Sequence, residues 1–582
     1  MNNTPATLLC DFYKVSHKNQ YPEKTQRIYS TFVPRTNKYF PQANHVVVFG
    51  IQYFIKNILL DYFNKEFFSR SKEEVAQEYE DFIRHTLGDQ HVDSEHIAAL
   101  HDLGYLPIKI SALKEGTLAP IKVPVLTVEN TVDDFFWITN YLETIMSNEI
   151  WLPMTSATIS NMYRDLLEDF AHRTGADLAE LDFQAHDFSM RGMSSFSSSE
   201  VSGAAHLLSF TGTDTIPAIF FHQKYYNADY KKELIGASIP ATEHSVMSAN
   251  TDPESRDELA AFKRLITEVY PSGLASIVSD TYDFWKVVDE ILPALKDDIM
   301  NRDGKIVIRP DSGDPADILC GIYIPSYDSI EEAIQDLKED VNTLASEKTG
   351  EHSTGEDVYS MPFKVDQTYY KAIFEVGYNR TQKKFYFIDE IDHISTVEFS
   401  PSSKDLGLIE SLWNIFGGTI NKRGYKVLDS HIGAIYGDSI TLERAADILA
   451  RLKQKGFVST SVVFGVGSFS FQYQTRDTLG FAMKATYAVI DGQEKKLFKD
   501  PKTDDGTKRS HRGMVSVIED KNANMICIDD LDQKGKQELS DQELLRPVFL
   551  DGKLLVDDSL SNVREKLKEQ RFKLSLKGHI YI

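Results

Sequence analysis

Short apolar runs that stop abruptly at polar loops recur along the middle of the chain, and their spacing sets the reading of the fold. In KIVIRPDSGDPAD (Lys305 to Asp317) the run Ile306 to Ile308 ends at Arg309, Asp311, Ser312, Gly313 and Asp314. The same form appears at FQAHDFSMRG (Phe183 to Gly192), LLSFTGTDT (Leu207 to Thr215), IGASIPATEHS (Ile235 to Ser245), LASIVSDTYD (Leu274 to Asp283), HIGAIYGDS (His431 to Ser439) and SVVFGVGS (Ser461 to Ser468). Such runs, bounded by turn residues, read as buried strands of a parallel sheet. With Asp187, Asp214, His244, Asp280 and Asp311 as markers, the steps are 27, 30, 36 and 31 residues. A β/α barrel of roughly 250 residues allows about 30 per unit. Amphipathic segments fill the gaps: Asp257 to Val269 carries Leu259, Phe262, Leu265, Ile266 and Val269 on one face, and Leu442 to Leu452 does the same before Gly456. The fold class is therefore α/β, with a β/α barrel predicted from Phe183 to about Lys484. Its polar loops gather at one mouth, where strand ends leave backbone groups free.

The flanks read differently. Gln26 to Phe32, His45 to Phe49, Leu106 to Ala112 and Pro124 to Val128 are strand candidates. Between them Ser71 and Glu74 form a capping box for a helix with Val75, Tyr79, Phe82 and Ile83 on its apolar face. Asp133 to Glu149 and Ala157 to Arg173 are predicted as two helices, the second stopped by Gly175. Near the C-terminus LLRPVFLDGKLLV reads as a hairpin turning at Asp551 and Gly552. Both chain ends, residues 1–182 and 485–582, are expected to share one β-rich domain beside the barrel of residues 183–484. The step from Asp311 to Asp438 is too long for the repeat, and about Gly321 to Gly418 is expected to hold an insertion. It includes a helix from Ser329 to Leu344, a polar run from Glu347 to Asp357, and a hairpin from Ala372 to Val376 and Phe385 to Ile388.

Composition narrows the function. The chain has 582 residues and a formal net charge of -24, which argues against a general nucleic-acid or anionic-membrane surface. Three cysteines, Cys10, Cys320 and Cys527, show no metal-ligand spacing. The N-terminal MNNTPATLLCDFYK lacks a signal-peptide pattern, and no apolar run approaches the roughly 20 residues of a membrane helix. A cytoplasmic protein is expected.

The ordered motifs HDFSMRGMSS, GTDT, IPATEHS, VSDTYD, RPDSGDP, GDS, TRD and FKDP, with DFYKVSHKNQYP near the start, resemble the nicotinamide phosphoribosyltransferase family. The resemblance covers nearly the whole chain apart from the insertion. It implies an irregular α/β barrel of type II phosphoribosyltransferases with an attached β-rich domain, working as a homodimer with active sites at the subunit interface. It also implies transfer of phosphoribose from phosphoribosyl pyrophosphate to nicotinamide, with ATP as co-substrate and Mg2+ carried by substrate phosphates.

Residue by residue, the resemblance puts Arg309 on the pyrophosphate side and Asp311, Gly437 and Asp438 on the ribose, with Ser276 in the substrate site. Arg476 and the loop around Gly467 hold the 5'-phosphate, although GVGSF replaces a run of glycines in the family. Phe188 and Tyr13 stack on the base from two subunits, with Asp11 beside Tyr13, Arg191 near Phe188 and Asp214 accepting from the carboxamide. His244 is the position that ATP phosphorylates and Asp280 the carboxylate that orients it. Arg35, Lys484, Lys499 and Lys508 match basic positions that serve phosphates. The chemistry asks for such groups. Cleavage at the anomeric carbon builds positive charge on the ribose and negative charge on the leaving pyrophosphate, and a pyridinium product favours aromatic faces. Two alternatives stand beside this reading: a nicotinate phosphoribosyltransferase, which Asp214 disfavours by charge, and a non-catalytic nucleotide-binding protein, which would not need His244, Asp280, Asp311 and Arg309.

Overall fold

Local chemistry builds the elements at the chain ends as expected, with one displaced residue. In a computed structural model, which describes residues 4–347, 356–379, 384–387, 394–437, 439–503 and 509–576, Ser71 accepts from the Glu74 N–H at 3.2 Å. The helix Lys72–Thr86 behind it buries Val75, Tyr79 and Ile83. Phe82 lies off that face and stacks on Phe12, with ring centroids 5.7 Å apart. Asp551 and Gly552 both take positive φ, which matches the twist of a two-residue hairpin turn between Arg546–Leu550 and Lys553–Leu554.

The chain divides into two compact units, one of residues 1–238, 437–442 and 463–582, the other of residues 239–436 and 443–462. The first holds a seven-stranded sheet in the order 493–496, 481–490, 25–34, 126–130, 108–112, 546–550 and 553–554. Strands from both ends of the chain thus form one β-rich layer, and Phe32, Val128, Ile110, Met483 and Phe549 are buried on it. The same unit contains three parallel strands, with Ala185–Asp187 between Val463–Val466 and Gly212–Thr213. The second unit has its own parallel trio, with Ile306–Arg309 between Ala275–Val278 and Ile432–Tyr436.

Some expected elements take another form. Leu207 ends the helix Phe196–His206, and only Gly212–Thr213 of the expected strand is extended. Ile235 to Ser245 makes isolated bridges, Gly212 with Ala237 and Ala241 with Ser276. Pro240 has no N–H to give a ladder, although its carbonyl accepts from Ser276 at 2.8 Å. Asp257 to Val269 is helical from Leu259, and Val269 is exposed rather than on the buried face. The two helices expected around Glu149 and Ala157 are one, Glu143–Thr174, which runs through Pro153. Burial of Ile150, Pro153, Met154 and Ala157 outweighs the proline's local cost. Gly50, at φ +92°, makes room for the proline ring; a Cβ there would lie 2.5 Å from Pro153 Cγ.

The insertion has a core of its own. Ser329 caps the helix Ile330–Glu347, accepting from Glu332 N–H at 3.1 Å, and Ala333, Leu337 and Val341 pack on Phe363, Ala372, Phe374 and Val376. The expected hairpin is present, Thr368–Asn379 with Lys384–Phe387, and a further strand, Glu356–Val365, pairs along Thr368–Asn379. Most of the polar run Glu347 to Asp357 lies outside the described residues. Entry and exit meet: Ile322 N–H donates to Asp405 O at 2.9 Å, and Gly321 and Gly407 touch backbone to backbone where a Cβ on either would clash. Replacing about Asp328 to Ser400 by a short linker is expected to leave a cooperative thermal transition and base binding intact, because the cut removes a separately packed core across a closed neck. Loss of the transition in a soluble product would show that the rest of the chain depends on this piece.

Candidate active site

Strand ends carry the polar groups in both units. In the second, the loop after Ile306–Arg309 and the one after Ala275–Val278 place Asp311 and Asp280 on His244, which opens the short helix His244–Ala249. His244 Nε2 lies 3.9 Å from Asp280 Oδ1 and 3.9 Å from Asp311 Oδ2, while its Nδ1 is 3.2 Å from Thr281 Oγ1. The ring is half-exposed and Asp280 is buried. Asp280 Oδ2 accepts from Asp311 N–H at 3.0 Å and from Ser312 Oγ at 2.6 Å, which ties the two loops together. Both carboxylates reach the histidine at ion-pair range, and its hydrogen bond goes to the Thr281 hydroxyl. Arg309 Nη2 donates to Thr242 O at 2.6 Å, whereas its buried Nε has no hydrogen-bond partner among the described residues. Ser276 is buried too, its hydroxyl likewise without a partner among the described residues. Glu258, buried and within reach of the Asp280 charge, is pushed up to about 7, by burial first and by Asp280 second.

The first unit holds an aromatic pocket of about 540 Å³ lined by Phe188, Arg191, Phe196 and Asp214. Phe188 is anchored by its N–H to Val466 O at 2.9 Å, and buried Asp187 accepts from Ser189 N–H at 2.9 Å to turn the loop. Arg191 sits in the tight turn Met190–Gly192. Asp214 Oδ1 takes His186 Nε2 at 2.8 Å and Ser238 Oγ at 2.6 Å. Gly467 joins the strand Val463–Val466 to the helix Ser468–Gln472, and Ser468 packs so tightly on Gly192 that a Cβ there would strike its hydroxyl. The serine in GVGSF is therefore accommodated by a glycine across the loop.

A basic group lies elsewhere in the same unit. Glu143 binds Lys14 at 2.5 Å and Lys484 at 3.4 Å. Burial lowers the Lys484 pKa, Glu143 opposes that, and Arg35 and Lys14 lower it further. Arg35 Nε donates to Gly480 O at 2.9 Å, and Arg476 pairs with Asp477 at 3.0 Å. Asp11 accepts from Thr144 Oγ1 at 2.8 Å. Tyr13 is 59% exposed; partial burial and then the Asp11 charge raise its phenol pKa, and Arg476 is near enough to lower it. Lys499 meets Ser510 through its backbone, its N–H donating to Oγ at 2.8 Å and its carbonyl accepting from Ser510 N–H at 2.9 Å. Gly437 follows the strand Ile432–Tyr436, and Asp438 and Lys508 lie outside the described residues. Site residues to which the sequence gave no role are His186, Ser238, Thr281, Lys14 and Glu143, and of these Glu143 alone lies outside the motifs that drew notice.

Comparison with known proteins bears on this arrangement. Residues 183–383 and 392–553 match the nicotinate phosphoribosyltransferase (NAPRTase) family, and residues 6–110 match the nicotinamide phosphoribosyltransferase N-terminal domain. The chain belongs to the nicotinate phosphoribosyltransferase family. It is a phosphoribosyltransferase enzyme. Its relatives include the nicotinamide phosphoribosyltransferase of Acinetobacter baylyi, 40% identical over 570 residues and 96% of each chain. That of Mycoplasma pneumoniae is 33% identical over 87% of this chain and 94% of the other. The fold is that of human nicotinic acid phosphoribosyltransferase, with a TM-score of 0.50 at 13% identity, covering 99% of this chain and 95% of that one. The strand-end loops expected at the mouth of a type II phosphoribosyltransferase barrel are thus set in that family's fold. Among the described residues no helix is long and apolar enough to cross a membrane.

Proposed function

We propose that this enzyme is a nicotinamide phosphoribosyltransferase of NAD salvage, forming nicotinamide mononucleotide and pyrophosphate from nicotinamide and phosphoribosyl pyrophosphate. The observation that carries the choice of base is the Asp214 carboxylate at the aromatic pocket, held by two donors. An ionised carboxylate accepts from a carboxamide N–H and repels the carboxylate of nicotinate. The names of the relatives at 40% and 33% identity agree with it. Phe188 offers a face for the pyridine ring, and Arg191 lies beside it. Asp311 and Asp280 offer acceptors to ribose hydroxyls and negative charge to the developing oxocarbenium, while Arg309 meets the pyrophosphate. Ser276 turns a buried hydroxyl to the same substrate, and Gly437, Asp438, Gly467 and Arg476 serve the ribose and its 5'-phosphate. Magnesium would enter with the substrate phosphates and offset the charge of the pyrophosphate. A neutral ring nitrogen of His244 takes the γ-phosphoryl group of ATP with release of ADP, Asp280 and Asp311 offset the positive charge the ring gains as the bond forms, and Arg35, Lys484, Lys499 and Lys508 meet the phosphates. The enzyme works in the cytoplasm as a homodimer in which Asp11 and Tyr13 cover the partner's base pocket.

The direct test is pyrophosphate release that requires both nicotinamide and Mg2+; release with nicotinate in its place would move the assignment to the acid. Asp214→Asn is expected to lower kcat/KM for nicotinamide tenfold to a hundredfold, the worth of a charged hydrogen bond of about 1.5 to 3 kcal/mol, and to ease entry of nicotinate. Unchanged ratios for the two bases would remove Asp214 from base selection.

A further inference from the structure

The side chain behind Asp214 was not expected from the motifs. We propose that His186 is the positioning residue through which the site tells a carboxamide from a carboxylate, a role that rests on the nicotinamide reading above. Facing a carboxylate at 2.8 Å, His186 Nε2 must carry the proton and donate it. Ser238 Oγ converges on the same oxygen at 2.6 Å, so Oδ1 is held from two directions and the plane of the carboxylate is fixed. Charge-assisted bonds of this kind also favour the ionised form. The two donors are not equivalent. Ser238 is exposed on a loop, whereas His186 is buried in the central strand Ala185–Asp187.

The ring is fixed by its surroundings. Gly212, paired with His186 across the strands, brings its backbone against Nδ1; a Cβ there would sit 2.8 Å from that nitrogen. On its other contact the ring lies 4.6 Å from Phe188, tilted by 39°. One buried side chain therefore touches both the aromatic face offered to the base and the carboxylate that selects it. Asp187 on the same strand and His206 at the end of the helix Phe196–His206 are titratable neighbours, and Asp187 is itself engaged by Ser189 N–H and Thr213 Oγ1. Without the His186 donor the carboxylate loses the buried one of its two donors, its aim at the carboxamide loosens, and selection for nicotinamide weakens.

The test compares kcat/KM for nicotinamide and nicotinate in the full-length wild type and in H186F, H186N and H186Q. In H186F the nicotinamide preference is expected to fall about tenfold, chiefly through a higher KM for nicotinamide. H186Q, whose amide nitrogen reaches as far as Nε2, is expected to keep the preference within about threefold, and the shorter H186N to lose it. A support role alone lowers kcat for both bases by one factor and leaves their ratio unchanged; that result in folded H186F overturns the proposal, as does equal loss in H186Q and H186N. If H186F does not fold, the Gln and Asn variants make the same comparison. A wild type that prefers nicotinate overturns the parent reading and this one with it, whereas a nicotinamide-preferring wild type with an unmoved ratio overturns His186 alone.

Discussion

With His244 replaced by alanine, incorporation of acid-labile phosphate from labelled ATP is expected to fall to background, and ATP hydrolysis with it. The imidazole is the only nucleophile of its kind set against Asp280 and Asp311 among the described residues, and its half-exposed ring is open to a phosphoryl donor. Phosphoribosyl transfer should persist slowly, because Arg309, Asp311 and the Asp214 pocket do not depend on the histidine for their own hydrogen bonds. Label retained by the variant would identify another acceptor and detach ATP coupling from this position.

Mixing two inactive dimers is expected to restore activity. Tyr13 is exposed, its ring meets only His17 at 5.4 Å and Lys14 at 5.2 Å among described ring contacts, and Phe12 beside it is 54% exposed. An aromatic pair presented this way at a twofold interface serves the neighbouring subunit in the proposed dimer. Tyr13→Ala in one subunit and Asp311→Ala in the other leave one composite site native in the mixed dimer, while the second carries both lesions. Random re-mixing gives about half heterodimers, so roughly a quarter of all sites should recover. Activity that stays at the parental level, with heterodimers confirmed by differential tags, would place Tyr13 in its own subunit's site or in none.

Where one residue's chemistry suffices, the sequence was a fair guide. Ser71 with Glu74, Asp551 with Gly552, and the runs before Asp187, Asp280 and Arg309 declare a cap, a turn and buried strands through contacts within a few positions. The strand Glu356–Val365 was legible too, since Tyr359, Met361, Phe363 and Val365 alternate toward the insertion's core, but the polar run before it hid the pattern. Pro153 misled in the opposite sense: a helix breaker locally, it is carried by the burial of its neighbours.

By itself, then, the order of residues determined the alternation of strand and loop and the placing of Asp280 and Asp311 just past strand ends. Only the tertiary structure decided which groups meet. Ser238 and His186 reach Asp214 from 24 and 28 residues away, and Glu143 joins Lys14 and Lys484 across 129 and 341 positions. The neck of the insertion closes between Ile322 and Asp405. Backbone preference acts over a turn or two and leaves its mark in local pattern. A hydrogen bond between distant side chains has no such mark, because its partners are brought within 3 Å by the packing of elements that the local pattern does not place.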